Sequence, residues 1–368
     1  MTLIKWPGGK KKEIKEFNNF IPSFDRYVEP FFGGGAVFFH LCPQKAYIND
    51  ISTNLIDFYN LVQQQDKEFR ENLELYANSF NAIIQIAEQN ITILRKKFYE
   101  ETTFEFQEIE AIIDKTVLTR LVWNNNDFIK ILTESINDKI QRTVKNNQKS
   151  PMSNTDLDNN LVTGFSSGFY LYFRNIYNDI QLSRTTYDYS LSYKIANFYW
   201  IREYCYGSMF RYNRDGEFNI PYGGISYNKK NFQNKINDIF SKEIKNLFQS
   251  VSINNLDFEP FLNGLNLTEN DFIFLDPPYD TEFSDYEGRS FNQSDQIRLR
   301  DFLATTDAKS MLVIKNTDFI FNLYNREPFY IVNFDKQYTY NVRARNERNV
   351  DHLIITNYAI DNFINTTL

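Results

Sequence analysis

Short apolar runs bounded by polar or turn-forming residues recur towards both ends of the chain. Their pattern predicts strands at residues 26–29, 45–49, 272–275, 311–314, 330–334 and 353–356. A helical period between them predicts helices at residues 36–41, 52–61 and 294–303. Strands that alternate with helices are typical of a doubly wound α/β sheet, which is the fold class we expect.

The pattern changes between residues 63 and 247, where apolar residues follow a helical period and Phe, Tyr, Ile and Asn are frequent. This change predicts an inserted, mainly helical domain at 63–247. The insertion interrupts an α/β domain made of residues 1–62 and 248–368. Within it, the mostly polar residues 145–160 are expected to form an exposed loop or flexible linker.

Composition and charge exclude several classes of protein. No uncharged apolar run reaches the roughly 18 residues of a membrane span, and the N-terminal residues are polar and basic. We therefore expect a cytoplasmic protein with no membrane partner. The net charge of −7 argues against non-specific coating of nucleic acid, although it allows a local basic face.

Cysteine and histidine are scarce: the two cysteines, Cys42 and Cys205, lie far apart in the sequence, and the only histidines are His40 and His352. Their spacing fits neither a zinc site nor a disulfide framework nor a Ser/His/Asp hydrolase, so no metal site is expected. Both cysteines are expected to be buried apolar residues.

A glycine-rich turn follows the first predicted strand, at residues 29–35 with the sequence Glu-Pro-Phe-Phe-Gly-Gly-Gly. Such a turn lets the backbone approach a ligand, although it also serves as a plain connector. Asp50 ends the second strand, where an acid can accept hydrogen bonds from ribose hydroxyls. The third glycine of the dinucleotide fingerprint is missing, which favours S-adenosylmethionine over NAD or FAD.

A second motif, Asp276-Pro277-Pro278-Tyr279, ends the strand predicted at 272–275. Proline cannot continue strand pairing, so the Asp276 carboxylate and the Pro277 carbonyl are expected to be exposed at the sheet edge. Two acceptors that bind an exocyclic amine direct its lone pair towards an electrophile, while Tyr279 can stack on the base. A rigid turn with an incidental charge is the alternative interpretation.

These motifs resemble those of the Dam-type, alpha-group DNA adenine N6-methyltransferases. Residues 5–10 resemble the family's Lys-Trp-x-Gly-Gly-Lys element, residues 29–35 its Glu-Pro-Phe-x-Gly-x-Gly loop, and residues 257–258 its Asp-Phe element. The resemblance implies S-adenosylmethionine as cofactor and a Rossmann-like methyltransferase sheet. It also implies that residues 63–247 form a target-recognition domain carrying a β-hairpin.

The resemblance implies roles for individual residues. The cofactor-binding residues would be Trp6, Gly9, Lys10, Glu29, Pro30, Phe31, Gly33, Gly35, Asp50, Asp257 and Phe258. The catalytic residues would be Asp276, Pro277, Pro278 and Tyr279.

Residues 211–223 resemble the family's target-recognition hairpin, and Asp215-Gly216 is itself a hairpin turn signal. The stretch 202–235 has more basic than acidic residues in an acidic protein, and Arg side chains can recognise guanine edges. A solvated charged loop is the alternative. The candidate DNA-binding residues are Arg211, Asn213, Arg214, Pro221, Lys229 and Lys230.

Competing functions remain open at this stage. They are N4-cytosine methylation, where Ser usually replaces Asp before Pro-Pro, and a sequence-specific DNA-binding module with little or no activity. Residues 66–165 exceed the length of compact Dam enzymes, which leaves the DNA target undecided between GATC and another site. Double-stranded DNA is the expected partner, a cognate restriction endonuclease is a candidate partner, and a monomer is expected.

Overall fold

A computed structural model describes residues 2–113, 120–208, 211–278, 291–337 and 349–360. The strands are β1 (Arg26–Glu29), β2 (Ala46–Asn49), β3 (Val251–Asn254), β4 (Asp271–Leu275), β5 (Lys309–Lys315), β6 (Tyr330–Gln337) and β7 (Asn349–Thr356). The α-helices are α1 (Ile14–Phe17), α2 (Phe38–Leu41), α3 (Thr53–Gln64), α4 (Lys67–Gln89), α5 (Ile91–Tyr99), α6 (Phe106–Ile112), α7 (Asn125–Lys149), α8 (Asn154–Gln181), α9 (Leu191–Tyr204), α10 (Ile225–Asn228), α11 (Phe232–Ile239), α12 (Lys242–Leu247), α13 (Phe258–Asn263), α14 (Gln293–Thr305) and α15 (Asp318–Tyr324). Short 3-10 turns lie at Lys10–Lys12, Asn18–Phe20, Tyr206–Ser208 and Phe248–Ser250.

The seven strands form one sheet in the order β3-β2-β1-β4-β5-β7-β6. The first five run parallel, and β7 is antiparallel to both β5 and β6. The predicted α/β class is confirmed, and the six predicted strands are present. Strand β3 was not predicted from the sequence, because it is only four residues long and lies at the sheet edge with only Val251 buried.

Strand β4 lies inside the sheet and is buried on both faces, as parallel strands usually are. Its side chains alternate between the faces. Phe274 stacks on Phe17 at 5.5 Å between ring centroids on one side. On the other side Ile273 and Leu275 join an apolar cluster that includes residues of α13, α14 and α15. This packing fixes the end of β4, where the Asp-Pro-Pro motif begins.

The chain divides into two compact units. We call residues 1–2, 6–63 and 242–368 the sheet unit, and residues 3–5 and 64–241 the helical unit. Among the described residues, no helix combines the length and apolar character that crossing a membrane requires.

Close packing of α7 against α8 organises the helical unit. An added Cβ would lie 3.1 Å from the Ile136 Cα at Gly164 and 3.0 Å from the Leu132 Cα at Gly168. Any larger residue at these two positions would push the helices apart.

The prediction of a loop or linker at residues 145–160 is wrong. Helix α7 continues to Lys149 and α8 begins at Asn154, with the Ser153 hydroxyl accepting a hydrogen bond from the Asp156 N–H at 3.1 Å. Polar residues on an exposed helix face have the same composition as a loop. Ser153 is the sequence feature that indicates a helix start here, because serine caps helix N-termini.

The prediction that both cysteines are buried is wrong for Cys42. Cys205 is buried, whereas Cys42 is exposed. Cys42 ends α2 with a left-handed φ of 46°, so its side chain leaves the helix at the surface.

Candidate active site

Four neighbouring parallel strands bring acidic residues to one edge of the sheet. In spatial order, Asp257 follows β3, Asp50 follows β2, Glu29 ends β1 and Asp276 follows β4. The chain order reverses beside β1, and ligands of open α/β sheets bind at such a switch point. We call the space beside these four acids the strand-end crevice.

The glycine turn after β1 is held from both sides. Gly33 has a φ of +50°, its N–H donates to the Asp50 Oδ2 at 2.8 Å, and its carbonyl accepts from the Tyr59 hydroxyl at 3.0 Å. A Cβ on Gly33 would lie 2.8 Å from the Trp6 Cδ1, so only glycine leaves room for the Trp6 indole. Asp50 also accepts from the Ser52 N–H at 3.0 Å. Tyr59 was not predicted, because its partner lies 26 residues away.

Glu29, the last residue of β1, is buried and accepts a hydrogen bond from the Tyr27 hydroxyl at 2.8 Å. Burial raises the pKa of Glu29 well above its usual range. The negative charges of Asp276 and Asp50 raise this pKa further, whereas the Tyr27 hydrogen bond lowers it. The crevice therefore disfavours additional negative charge.

Lys10 provides a positive charge in the same place. Its side chain is 2% exposed, its ammonium pairs with the Asp276 Oδ1, and the Glu13 Oε2 lies 3.9 Å away. The Asp276 side chain is 20% exposed, while Pro277 is buried. Gln296 donates to the Pro278 carbonyl at 3.4 Å. Tyr279, the last residue of the predicted catalytic motif, lies outside the described residues.

Asp257 and Phe258 lie at the β3 side of the crevice. The Asp257 Oδ1 accepts from the Glu259 N–H at 3.0 Å and thereby caps α13. Arg298 reaches both carboxylate oxygens of Asp257, at 3.2 and 3.3 Å, and covers the Phe258 ring at 4.7 Å. Phe31 packs 5.4 Å from Phe258, between ring centroids. Arg298 was not predicted from the sequence, because it lies 41 residues from Asp257.

Residues 6–340 match the family model for the D12 class N6 adenine-specific DNA methyltransferases. The chain belongs to this family. The match confirms the resemblance noted in the sequence, and it names adenine N6 rather than cytosine N4 as the methylated atom. This protein is an adenine-specific DNA methyltransferase, and DNA is its substrate.

Several full-length and partial relatives are similar to this methyltransferase. The Type II methyltransferase M.CviBI of Paramecium bursaria Chlorella virus NC1A is 26% identical over 97% of this chain and 99% of its own. The Type II methyltransferase M1.LlaDCHI of Lactococcus lactis subsp. cremoris is 23% identical over 97% of this chain and 95% of its own. The DNA adenine methylase of Serratia marcescens is 32% identical over 27% of this chain and 36% of its own.

The hairpin of the methyltransferase lies in the helical unit. Tyr212 and Phe218 form an antiparallel bridge, and Gly216 takes a φ of +77° in the predicted turn. The Asn213 side chain builds this turn, because its Oδ1 accepts from the N–H groups of Asp215 and Glu217 at 3.0 and 2.9 Å.

The side chains proposed to bind DNA differ in exposure. Arg211 is exposed and donates to the Asn219 Oδ1 at 3.0 Å, and Arg214, Pro221 and Lys229 are exposed. Lys230 is half-buried, with its ammonium 2.9 Å from the Glu203 carbonyl and 3.3 Å from the Tyr227 ring centroid. Burial, with the positive charge of Lys5, lowers the pKa of Lys230 to about 7.

Proposed function

We propose that S-adenosylmethionine is the methyl donor and that the strand-end crevice binds it. The observation that carries this proposal is the convergence of Glu29, Asp50 and Asp276 with one buried lysine, Lys10, at the ends of adjacent strands. Such a negative site fits the positively charged sulfonium and ammonium groups of this cofactor. When bound, the cofactor supplies an activated methyl group.

The residues of the glycine turn would hold the nucleoside part of the cofactor. Gly33 and Gly35 keep the turn free of side chains, and Asp50 would accept hydrogen bonds from the ribose hydroxyls. The half-buried Phe31, packed against the buried Phe258, would offer an apolar surface for the adenine ring. The segment with Trp6, Gly9 and Lys10 would close the crevice, with Trp6 packed on Gly33.

Asp276 and Pro277 would hold the adenine that receives the methyl group. The Asp276 carboxylate and the Pro277 carbonyl would accept the two N6 hydrogens and direct the nitrogen lone pair towards the donor. Lys10 orients this carboxylate. A base inside a duplex cannot reach the crevice, so the adenine would be flipped out and stacked on Tyr279.

We further propose that the recognition domain spans residues 63–247 and the catalytic domain residues 1–62 and 248–368. Arg211 and Arg214 would contact base edges, and Lys229 would contact phosphate. The full-length relatives named Type II methyltransferases support a modification role beside a restriction endonuclease. The enzyme would act as a monomer.

Calorimetric titration with S-adenosylmethionine tests the cofactor site. The Asp50→Ala enzyme should bind the cofactor about 10- to 100-fold more weakly, since it loses charge-assisted hydrogen bonds. Asp158→Ala removes a carboxylate that pairs with Arg95 in the helical unit, and it should leave the affinity unchanged. Equal affinities of wild type and Asp50→Ala would contradict the proposed site, and absence of binding by the wild type would reject the cofactor.

A further inference from the structure

Asn49, the last residue of β2, connects the loops that follow the two neighbouring strands, β1 and β3. The residue is 1% exposed, and its Nδ2 donates to the carbonyls of Pro30 and Leu256, both at 3.0 Å. Its Oδ1 accepts from the Leu256 N–H at 2.9 Å. Its backbone carbonyl accepts from the Phe32 N–H at 2.9 Å.

These partners lie within or directly before the segments proposed to bind the cofactor. Pro30 and Phe32 lead into Gly33, and Leu256 precedes Asp257 and Phe258. Leu256 presents both an N–H and a carbonyl, so its partner must donate and accept at the same time. A side-chain amide does both, whereas a carboxylate cannot donate and an aliphatic side chain can do neither.

We infer that Asn49 is a positioning residue for the methyl donor. It fixes the distance between the glycine turn and the Asp257–Phe258 segment, and thereby sets cofactor affinity without itself touching the cofactor. This inference rests on the proposed cofactor site. Small displacements of binding groups have large effects on a preorganised site, so the loss of this bridge should be measurable as weaker binding.

The sheet unit contains a matched control. Asn357 makes the same kind of double contact with backbone, donating to the Ala308 carbonyl at 2.9 Å and accepting from the Ser310 N–H at 2.8 Å. These partners lie at the amino end of β5, whereas the crevice lies at the carboxyl ends of the strands. Asn357→Asp therefore perturbs the same sheet without changing the proposed cofactor segments.

Asn49→Asp separates positioning from a general loss of structure. The variant keeps the shape of the side chain but loses its donor, and protonation of the new carboxyl at low pH restores one donor. Asn49→Ala lacks the bridge at every pH. Asp50, Glu29 and Asp257 adjoin Asn49, Pro30 and Leu256 in the chain, and Arg298 pairs with Asp257. Because these charged groups are present in every protein tested, each affinity is divided by that of the wild type at the same pH.

Calorimetric titration with S-adenosylmethionine between about pH 5 and pH 8 tests the inference. At the upper pH, both Asn49 variants should bind about 10- to 100-fold more weakly than the wild type. The deficit of Asn49→Asp should shrink as the pH falls, while that of Asn49→Ala should stay constant. Asn357→Asp should match the wild type throughout, and DNA affinity should be unchanged in all variants.

Wild-type cofactor affinity in the Asn49 variants would overturn the inference, as would an equal loss in Asn357→Asp or a pH-independent deficit in Asn49→Asp. If Asn49→Asp does not fold, Asn49→Ser takes its place, with weaker cofactor binding and unchanged DNA binding expected. Retained cofactor affinity in Asn49→Ser would equally overturn it. A wild type that does not bind the cofactor would reject the proposed function, and this inference with it.

Discussion

Glu29 is a buried carboxylic acid whose protonation depends on the charges beside it. It lies at 3% exposure beside two other carboxylates, and the nearby Lys10 pairs with Asp276. Burial and the neighbouring negative charges raise the pKa of Glu29, so the folded protein retains a proton that the unfolded chain releases. A positively charged ligand would instead favour the ionised carboxylate.

This raised pKa predicts a pH-dependent stability. Because the folded state binds the proton more tightly, the contribution of Glu29 is fully present below its unfolded pKa of about 4.3 and is lost as the pH rises through the folded pKa. Glu29→Gln is neutral at every pH and still accepts from the Tyr27 hydroxyl. Its free energy of unfolding, measured by urea denaturation, should therefore rise relative to wild type as the pH rises. A pH-independent difference would contradict the raised pKa.

Only part of the crevice is predictable at the level of residues. The motif residues are visible in the sequence because short-range spacing defines them. Arg298, Tyr59 and Asn49 are not, because their importance comes from partners that the fold brings close. Asn49 and Leu256 lie 207 positions apart, and no local pattern connects them.

At the level of elements, the hairpin that we propose to recognise DNA depends on α8 for its position. The Asn178 side chain donates to the Phe218 carbonyl at 3.1 Å and accepts from the Phe218 N–H at 2.8 Å. The Tyr170 hydroxyl donates to the Ile220 carbonyl at 2.9 Å. Helix α8 therefore supports the hairpin that carries the exposed Arg211.

The hairpin proposal predicts different effects for Arg211→Ala and Lys229→Ala. Loss of a guanine contact should cost Arg211→Ala about 1–3 kcal/mol on the cognate duplex and little on a scrambled one. Lys229→Ala should weaken binding to both duplexes. It should also reduce the slope of log affinity against log salt concentration by about one, because one phosphate contact is lost. Fluorescence anisotropy measures both, once sequencing of methylated DNA has identified the cognate site. Equal losses on both duplexes for Arg211→Ala would reject its role in base recognition.

Elements differ in how far the sequence reveals them. Strands β4 and β5 are predictable because buried parallel strands are nearly continuous apolar runs. Strand β3, with the sequence Val-Ser-Ile-Asn, is not, because it lies at the sheet edge with only Val251 buried. The polar composition around the boundary between α7 and α8 predicts a long loop, although Ser153 is a helix-capping residue and the connection is short.

For the whole molecule, the sheet unit holds every described residue proposed to bind the cofactor or to act in catalysis, and the helical unit holds every residue proposed to bind DNA. The net charge of −7 is therefore no guide to DNA binding, since the charges that matter are local. The fold and the methyltransferase family could be predicted from the sequence because the motifs mark strand ends. The side chains that support the hairpin and the crevice could not be predicted from the sequence.

Single-turnover transfer of labelled methyl groups to a saturating cognate duplex tests the central claim most directly. Asp276→Ala should reduce the transfer rate by about 100-fold or more, because the acceptor that orients adenine N6 is lost. Its cofactor affinity, measured in parallel, should fall far less than the transfer rate, because Glu29 and Asp50 remain in the crevice. Cys42→Ser, which alters an exposed thiol, should transfer at the wild-type rate. A wild-type transfer rate in Asp276→Ala would contradict the proposed role of the strand-end crevice in methylation.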